Sequence, residues 1–347
     1  MSATEYDYRA QLAAISEPGD TITGTLVRDI GAEATIRLAQ EDTPKPPESI
    51  NPEEFAAWAD RLRARVRTST VDGIRVACQQ RGITLTIPGD SDWPTGLDDL
   101  GVAAPLILFQ KGDPGLLAQT ITDKIAVVGA RAATGYGEHV TMETTAGLVD
   151  RGYTIVSGAA YGIDGMAHRA ALAAGGNTVA ILAGGVDRYY PSGHDALLQR
   201  IAEKGAVVSE LPPGHPPTKW RFLQRNRIIA ATTAVTVVVE AGWRSGSLNT
   251  AGHAIALGRT VAAFPGPVTS AASAGAHRLI RDMAAKLVTG ADDISQLLNV
   301  GDERGIPAIG PQQGRTVETP DRRAELHDFS ADTRTPKLGA RTPGLEH

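Results

Sequence analysis

Residues 219–227 read KWRFLQRNR, which places Lys219, Arg221, Arg225 and Arg227 within nine positions with no acid between them. Trp220 and Phe222 stand among these cations. Cation-lined grooves with aromatic platforms are the physical basis for holding single-stranded nucleic acid, because unpaired bases stack on a ring. The same run can instead turn its rings inward and leave its arginines as a solvated face or a subunit contact. Taken alone, it favours that plainer reading.

Four glycine-rich turns elsewhere change the balance. VVGARAATGYG (127–137) opens at Gly129 but carries Arg131 where a dinucleotide fingerprint needs its second glycine. A bulky cation at the place where bare backbone should meet pyrophosphate argues against NAD. The helix start that follows can still take an anion, with a hydroxyl from Thr134 and a fork of donors from Arg131. IVSGAAYGID (155–164) offers Ser157 and Gly158 to a phosphate in the same way. Its Asp164 and His168, four apart on one helix face, suit acid–base work or simple capping, and capping is preferred. ILAGGVDRYYPSGHDALL (181–198) adds a Gly-Gly loop with two tyrosines, and VVVEAGWRSGSLNTAGHA (237–254) opens a helix at Ser245, Gly246 and Ser247. Each turn is weak evidence by itself. Together they suit several adjacent phosphates better than one mononucleotide.

Covalent and metal chemistry find little support. The eight histidines are scattered, Cys78 stands alone, and neither a nucleophile elbow nor a Walker A sequence occurs. Anion binding with no catalytic residue, no cofactor and no metal is the expectation.

The elements that would carry these turns follow from the apolar pattern. KIAVVGA (124–130), TIVSGAA (154–160), TVAILAGG (178–185), AVVSEL (206–211), TAVTVVVEAG (233–242) and RTVAAFPG (259–266) are β-branched runs of strand length, with KLVTG (286–290) a shorter one. Ala-rich helical stretches alternate with them, which predicts a mostly parallel sheet in an α/β layer fold. Ligands of such sheets bind beyond the carboxyl ends of the strands, where all four turns fall. Residues 1–82 read instead as a small helical domain, broken at Glu17–Asp20 and by the Pro-rich loop 43–52. Within it, VRDIGAEA fits a helix-hairpin-helix grip on a phosphate backbone, or, preferably, a turn between packed helices. The α/β sheet domain is expected over 83–298 and a disordered tail over 299–347, where periodicity is lost.

The net charge of −5 conceals a division: residues 1–123 carry −8, residues 124–293 carry +4, and residues 294–347 carry −1. Local charge governs local binding, so the overall sign does not exclude a polyanion. One cysteine rules out an intrachain disulfide framework. MSATEYDYRA lacks a signal-peptide pattern and no run approaches 18 apolar residues, so a cytoplasmic protein with no membrane partner is expected.

From VGARAATGYG through SGAAYGIDGMAHRAAL, TVAILAGGVDRYYP, SELPPG with FLQRNRIIA, and VVEAGWRSGSLNTA to FPGPV, the chain resembles the DNA-processing protein A family (DprA, also called Smf). The match runs in order over about residues 86–295. This resemblance implies an extended Rossmann-like domain, preceded by a helical domain of the sterile-alpha-motif type. It also implies binding of single-stranded DNA without hydrolysis, a homodimer, and loading of a RecA-type recombinase in natural transformation. By motif, Arg131 is then a phosphate contact. Phe222, Arg225, Asn226 and Arg227, with Lys219 beside them, line the DNA pocket, and Ser157, Gly158, Ser245, Gly246 and Ser247 are phosphate-facing.

The chain departs from the family pattern at Ala130, where a Ser is usual, at Leu223 for a common Pro, and at His194 and His277 for frequent Asn. No winged-helix-like pattern is read in 301–347. The competing function is a Rossmann-like phosphoribohydrolase, whose Pro-Gly-Gly-x-Gly-Thr and catalytic Glu find their nearest counterparts in LAGGVD and Glu240.

Overall fold

The computed structural model describes residues 3–41, 44–66 and 71–303. Five helices come first: α1 (Glu5–Ile15), α2 (Thr21–Ile30), α3 (Ala32–Gln40), α4 (Pro52–Val66) and α5 (Val71–Gln80). Their starts are set by side chains that take up orphan N–H groups. Asp20 accepts from the N–H groups of Ile22 and Thr23, both at 3.1 Å, and Asn51 from that of Glu53 at 2.9 Å, directly before Pro52. Gly31, at φ +84°, makes the turn between α2 and α3 that a side chain would resist. Leu12, Ile15, Leu26, Ile36, Phe55 and Trp58 close a core of their own, in which the Trp58 indole donates to Thr23 Oγ1 at 2.9 Å.

The turn at 81–83, where the sequence places its domain boundary, leads into a nine-stranded sheet. In chain order the elements are β1 (Thr84–Thr86), β2 (Leu108–Gly112), α6 (Gly115–Ala118), β3 (Lys124–Val128), α7 (Gly135–Asp150), β4 (Thr154–Ser157), α8 (Ile163–Ala173), β5 (Thr178–Ile181) and α9 (Asp195–Lys204). There follow β6 (Ala206–Ser209), α10 (Lys219–Ala231), β7 (Val235–Val238), α11 (Ser247–Ala256), β8 (Thr260–Ala263), α12 (Ala274–Asp282), β9 (Lys286–Leu287) and α13 (Ala291–Glu303).

The strand order is β1-β2-β6-β5-β4-β3-β7-β8-β9. From β6 to β9 every pairing is parallel, whereas β1 with β2 and β2 with β6 are antiparallel. The central strands are buried along their whole length because helices cover both faces, which is why they read as unbroken apolar runs. Each buried Val or Ile contributes on the order of 1.5–3 kcal/mol of transfer free energy.

Ala10, Ala13 and Cys78 of the helical region share an apolar cluster with Ile83, Ile107, Phe109 and Val207 of the sheet region. Residues up to Glu303 form one compact unit. Helix α13 runs through the expected start of the tail at 299, and 304–347 lie outside the described residues.

Candidate nucleic-acid interface

The chain winds outward from β3 through β4, β5 and β6, then crosses back to place β7 on the other side of β3. The turns after β3 and β7 therefore diverge and leave a crevice at the topological switch point. A cleft of about 830 Å³ opens there. Its walls come from the 129–132 turn, the start of α10, and the 242–247 loop, with Tyr190 and Ala272 at its edges.

Helix α10 sets the centre of the cleft. Thr218 caps it by accepting from the Arg221 N–H at 3.2 Å, and the helical repeat then puts Phe222, Arg225, Asn226 and Ile229 on the cleft wall. The Arg131 guanidinium lies over the Phe222 ring at 5.1 Å from its centroid, and that of Arg225 at 5.9 Å. Tyr190 approaches the same ring at 5.6 Å in a tilted arrangement. Two cations and two aromatic rings thus meet at one point.

Arg225 is buried, and its Nη1 donates to the carbonyl of Gly158 at 2.7 Å and to that of Ile181, while its Nε donates to Asn226 Oδ1 at 3.1 Å. Burial pushes its pKa down to about 10, the charge of Asp164 opposes that fall, and the nearby positive charge of Arg131 adds to it. Neither arginine has an ion-pair partner among the described residues. Buried charges need compensation, and that of Arg225 comes from its carbonyl and amide acceptors and from the charge of Asp164, whereas Arg131 is exposed at the cleft. Lys219 and Arg244 add exposed cations to the lining, against one acid, Asp164.

That acid is turned inward. The Asp164 carboxylate accepts from the backbone N–H of Ala160 at 3.4 Å and from those of Gly129 and Gly158. Burial raises its pKa, and the charge of Arg225 together with the three N–H groups opposes that rise. The start of α7 is filled likewise: both oxygens of buried Glu240 are engaged, Oε2 by the Thr134 N–H at 2.9 Å and Oε1 by its hydroxyl at 2.7 Å. Two turns that look anion-receptive in sequence are therefore satisfied by the chain's own carboxylates. Close backbone approach explains their glycines. A Cβ at Gly158 would stand 2.4 Å from the Arg225 nitrogens, and one at Gly129 would stand 2.6 Å from Ile163 Cγ1.

Residues 84–299 match the family model of DNA recombination-mediator protein A. The chain belongs to that family. Relatives bearing the name DNA processing protein DprA include one from Mycobacterium tuberculosis, 45% identical over 85% of this chain and 76% of its own length. One from Bacillus subtilis is 38% identical over 65% of this chain and 74% of its own length. Among solved structures, DNA processing protein A of Streptococcus pneumoniae superposes with a TM-score of 0.68 at 30% identity, covering 85% of this chain and 98% of its own. A structure describing the single-stranded DNA binding mode of the Helicobacter pylori protein superposes with a TM-score of 0.56 at 28% identity, over 63% of this chain and 97% of its own.

Of the residues expected to bind DNA in this family member, Gly129, Arg131, Lys219, Phe222, Arg225, Asn226, Ser245, Gly246 and Ser247 all line the cleft. Four others do not. Ser157 is buried and donates to the carbonyl of Val127 at 2.6 Å. Gly158 is buried beneath Arg225. Thr134 is engaged by Glu240 as described. Arg227 faces away from the cleft and makes a buried, two-pronged ion pair with Glu210 at 2.7 and 2.6 Å. Arg221 likewise leaves the cleft and pairs with Glu17 of the helical region at 3.1 Å.

His168 is also structural, since it is buried, hydrogen-bonds Thr178 Oγ1 at 2.7 Å, and has its pKa pushed down to about 3, chiefly by burial. The 245–247 turn serves itself in part: the Ser245 hydroxyl accepts from the Ser247 N–H at 3.4 Å and lies 2.8 Å from the Ser247 hydroxyl, with Gly246 exposed between them.

Tyr190 was noted in the sequence only as one of two tyrosines in its loop, and Arg244, which sits in a quoted motif beside Ser245, was missed. Among the described residues no cluster suits a metal ion, and no helix is long and apolar enough to cross a membrane.

Proposed function

We propose that the chain binds single-stranded DNA in this cleft and, as a homodimer, loads it with a RecA-type recombinase during natural transformation, without hydrolysing it. The observation that carries the DNA-binding part is the convergence of Arg131 and Arg225 over the Phe222 ring, two phosphate donors beside one stacking surface. The likeness to the Helicobacter pylori protein, whose structure concerns single-stranded DNA binding, supports the same reading. Duplex DNA keeps its bases stacked on each other, so the ring has nothing to offer it.

The test is a salt titration of labelled oligo-dT beside a duplex of equal length. Contacts from Arg131, Lys219, Arg225 and Arg244 to about four phosphates give an expected log–log slope near −3 for the single strand. Combining Arg131→Ala with Arg225→Ala should weaken binding steeply; unchanged affinity in that double variant would remove the cleft from the account. Sedimentation tests the homodimer, and the rate of filament assembly on the bound strand tests the loading step. Glu240 has both oxygens engaged by Thr134, which weighs against its use as the base of a phosphoribohydrolase. Release of free base from nucleoside monophosphates would overturn the non-enzymatic reading.

A further inference from the structure

Trp243 stands in the loop between β7 and α11 with 53% of its surface exposed. Its neighbours Gly242 and Arg244 line the cleft, whereas Trp243 itself does not. The Arg278 guanidinium of α12 lies over the indole at 5.2 Å from the ring centroid. No acid among the described residues lies within ion-pair distance of Arg278, although its charge acts on Asp282, which Arg281 holds at 2.6 Å.

The indole, half in water between two cleft residues, presents a ring face on which a base can stack. Its pairing with the Arg278 guanidinium repeats, just outside the cleft, the ring-and-cation arrangement of Phe222 with Arg131.

We infer that Trp243 and Arg278 form a second nucleotide subsite, on which a strand leaving the cleft stacks a base against the indole and sets a phosphate against the guanidinium. This rests on the reading of the cleft as a single-strand site. The cleft holds the first nucleotides, and Arg244, on the loop that joins cleft to platform, accompanies the backbone between them. Stacking makes no base-specific hydrogen bond, so the subsite is tolerant of sequence. Its occupation depends on strand length, because only a strand long enough to leave the cleft reaches it.

The experiment compares oligo-dT of roughly 5 and roughly 20 nucleotides, lengths chosen to fill the cleft alone or to pass beyond it. Trp243→Ala should weaken the longer oligonucleotide by about 5- to 100-fold while leaving the shorter one unaffected, and Trp243→Phe should restore most of the loss. Arg278→Ala should reduce the salt slope for the longer strand by about 0.7 and leave that of the shorter strand alone. In a Trp220→Phe background Trp243 is the remaining exposed indole, Trp58 and Trp93 being buried. Its emission should then be quenched by the longer strand and not by the shorter. Equal losses on both lengths, or no loss on the longer, overturn the subsite. Failure of the unmodified protein to bind either length removes the cleft reading itself, a result distinct from those two.

Discussion

On α10, Arg225 and Arg227 carry the same guanidinium two residues apart, and their surroundings give them different work. Arg225 lines the cleft wall beside Phe222, held by backbone carbonyls and the charge of Asp164, whereas Arg227 closes on Glu210 in a direct ion pair inside the protein. Breaking a buried pair leaves a desolvated charge behind. Arg227→Ala should therefore cost about 3–5 kcal/mol of folding stability by urea denaturation. Arg131→Ala, at an exposed and unpaired position, should stay within about 0.5 kcal/mol of the parent in the same assay yet weaken DNA binding. Phe222→Ala should remove about 1–3 kcal/mol of binding, the value of one stacked base, with Phe222→Tyr retaining most of it. A fold-neutral Arg227→Ala that abolished binding would reverse these assignments.

Lys124 opens β3, the strand whose far end carries the Arg131 turn, and its whole side chain is buried. Its Nζ donates to the carbonyls of Leu117, at 2.6 Å, and Gln119, which ties the strand to the segment before it. Burial pushes its pKa down from 10.5 to about 8. Between these values the unfolded chain binds a proton that the folded chain does not, so stability rises with pH across that window. Below about pH 8 both states are protonated and the penalty is constant, amounting to roughly 3 kcal/mol in the limit of one pKa unit per 1.4 kcal/mol. Denaturant midpoints of the parent should climb from pH 8 to 10.5 relative to Lys124→Met. Parallel pH profiles for the two proteins would show that the ammonium is better solvated by its carbonyls than burial alone suggests.

The helical region and the sheet region share the apolar cluster that contains Cys78, and Glu17 reaches from the former to Arg221 on α10. Packing of this kind predicts that the helical and sheet regions, within the unit that ends at Glu303, unfold together. Cys78 reports on it, because it is buried and burial raises its thiol pKa to about 11, which leaves little thiolate at neutral pH. Its modification by a disulfide reagent should follow the same denaturant midpoint as the loss of helical circular dichroism. Reaction at lower denaturant would show that α1 and α5 open before the sheet does. The acidic first 123 residues and the basic stretch 124–293 belong to this same molecule, so electrostatic attraction of a polyanion is governed by the cleft rather than by the net charge of −5.

Local pattern was enough for the strands, the mostly parallel sheet and the helix start at Asn51, because buried strands and capping side chains leave their mark within a few residues. It also placed the glycine turns beyond the carboxyl ends of the strands, but the cleft between two of them follows from the strand order, which only the folded sheet supplies. Local pattern could not divide four cations in nine residues into Lys219 and Arg225 for the cleft, and Arg221 and Arg227 for Glu17 and Glu210. Nor could it foresee that Asp164 and Glu240 would fill two of the glycine turns, or that Tyr190 would come to rest against Phe222. These partners are distant in sequence, and which donor meets which acceptor is settled only when the packed chain brings them within hydrogen-bonding reach. Composition and spacing determined that the chain would collect anion-binding groups at one edge. The tertiary structure decided which of them remain free for a ligand, because a buried charge or N–H must be satisfied from within wherever the fold supplies a partner.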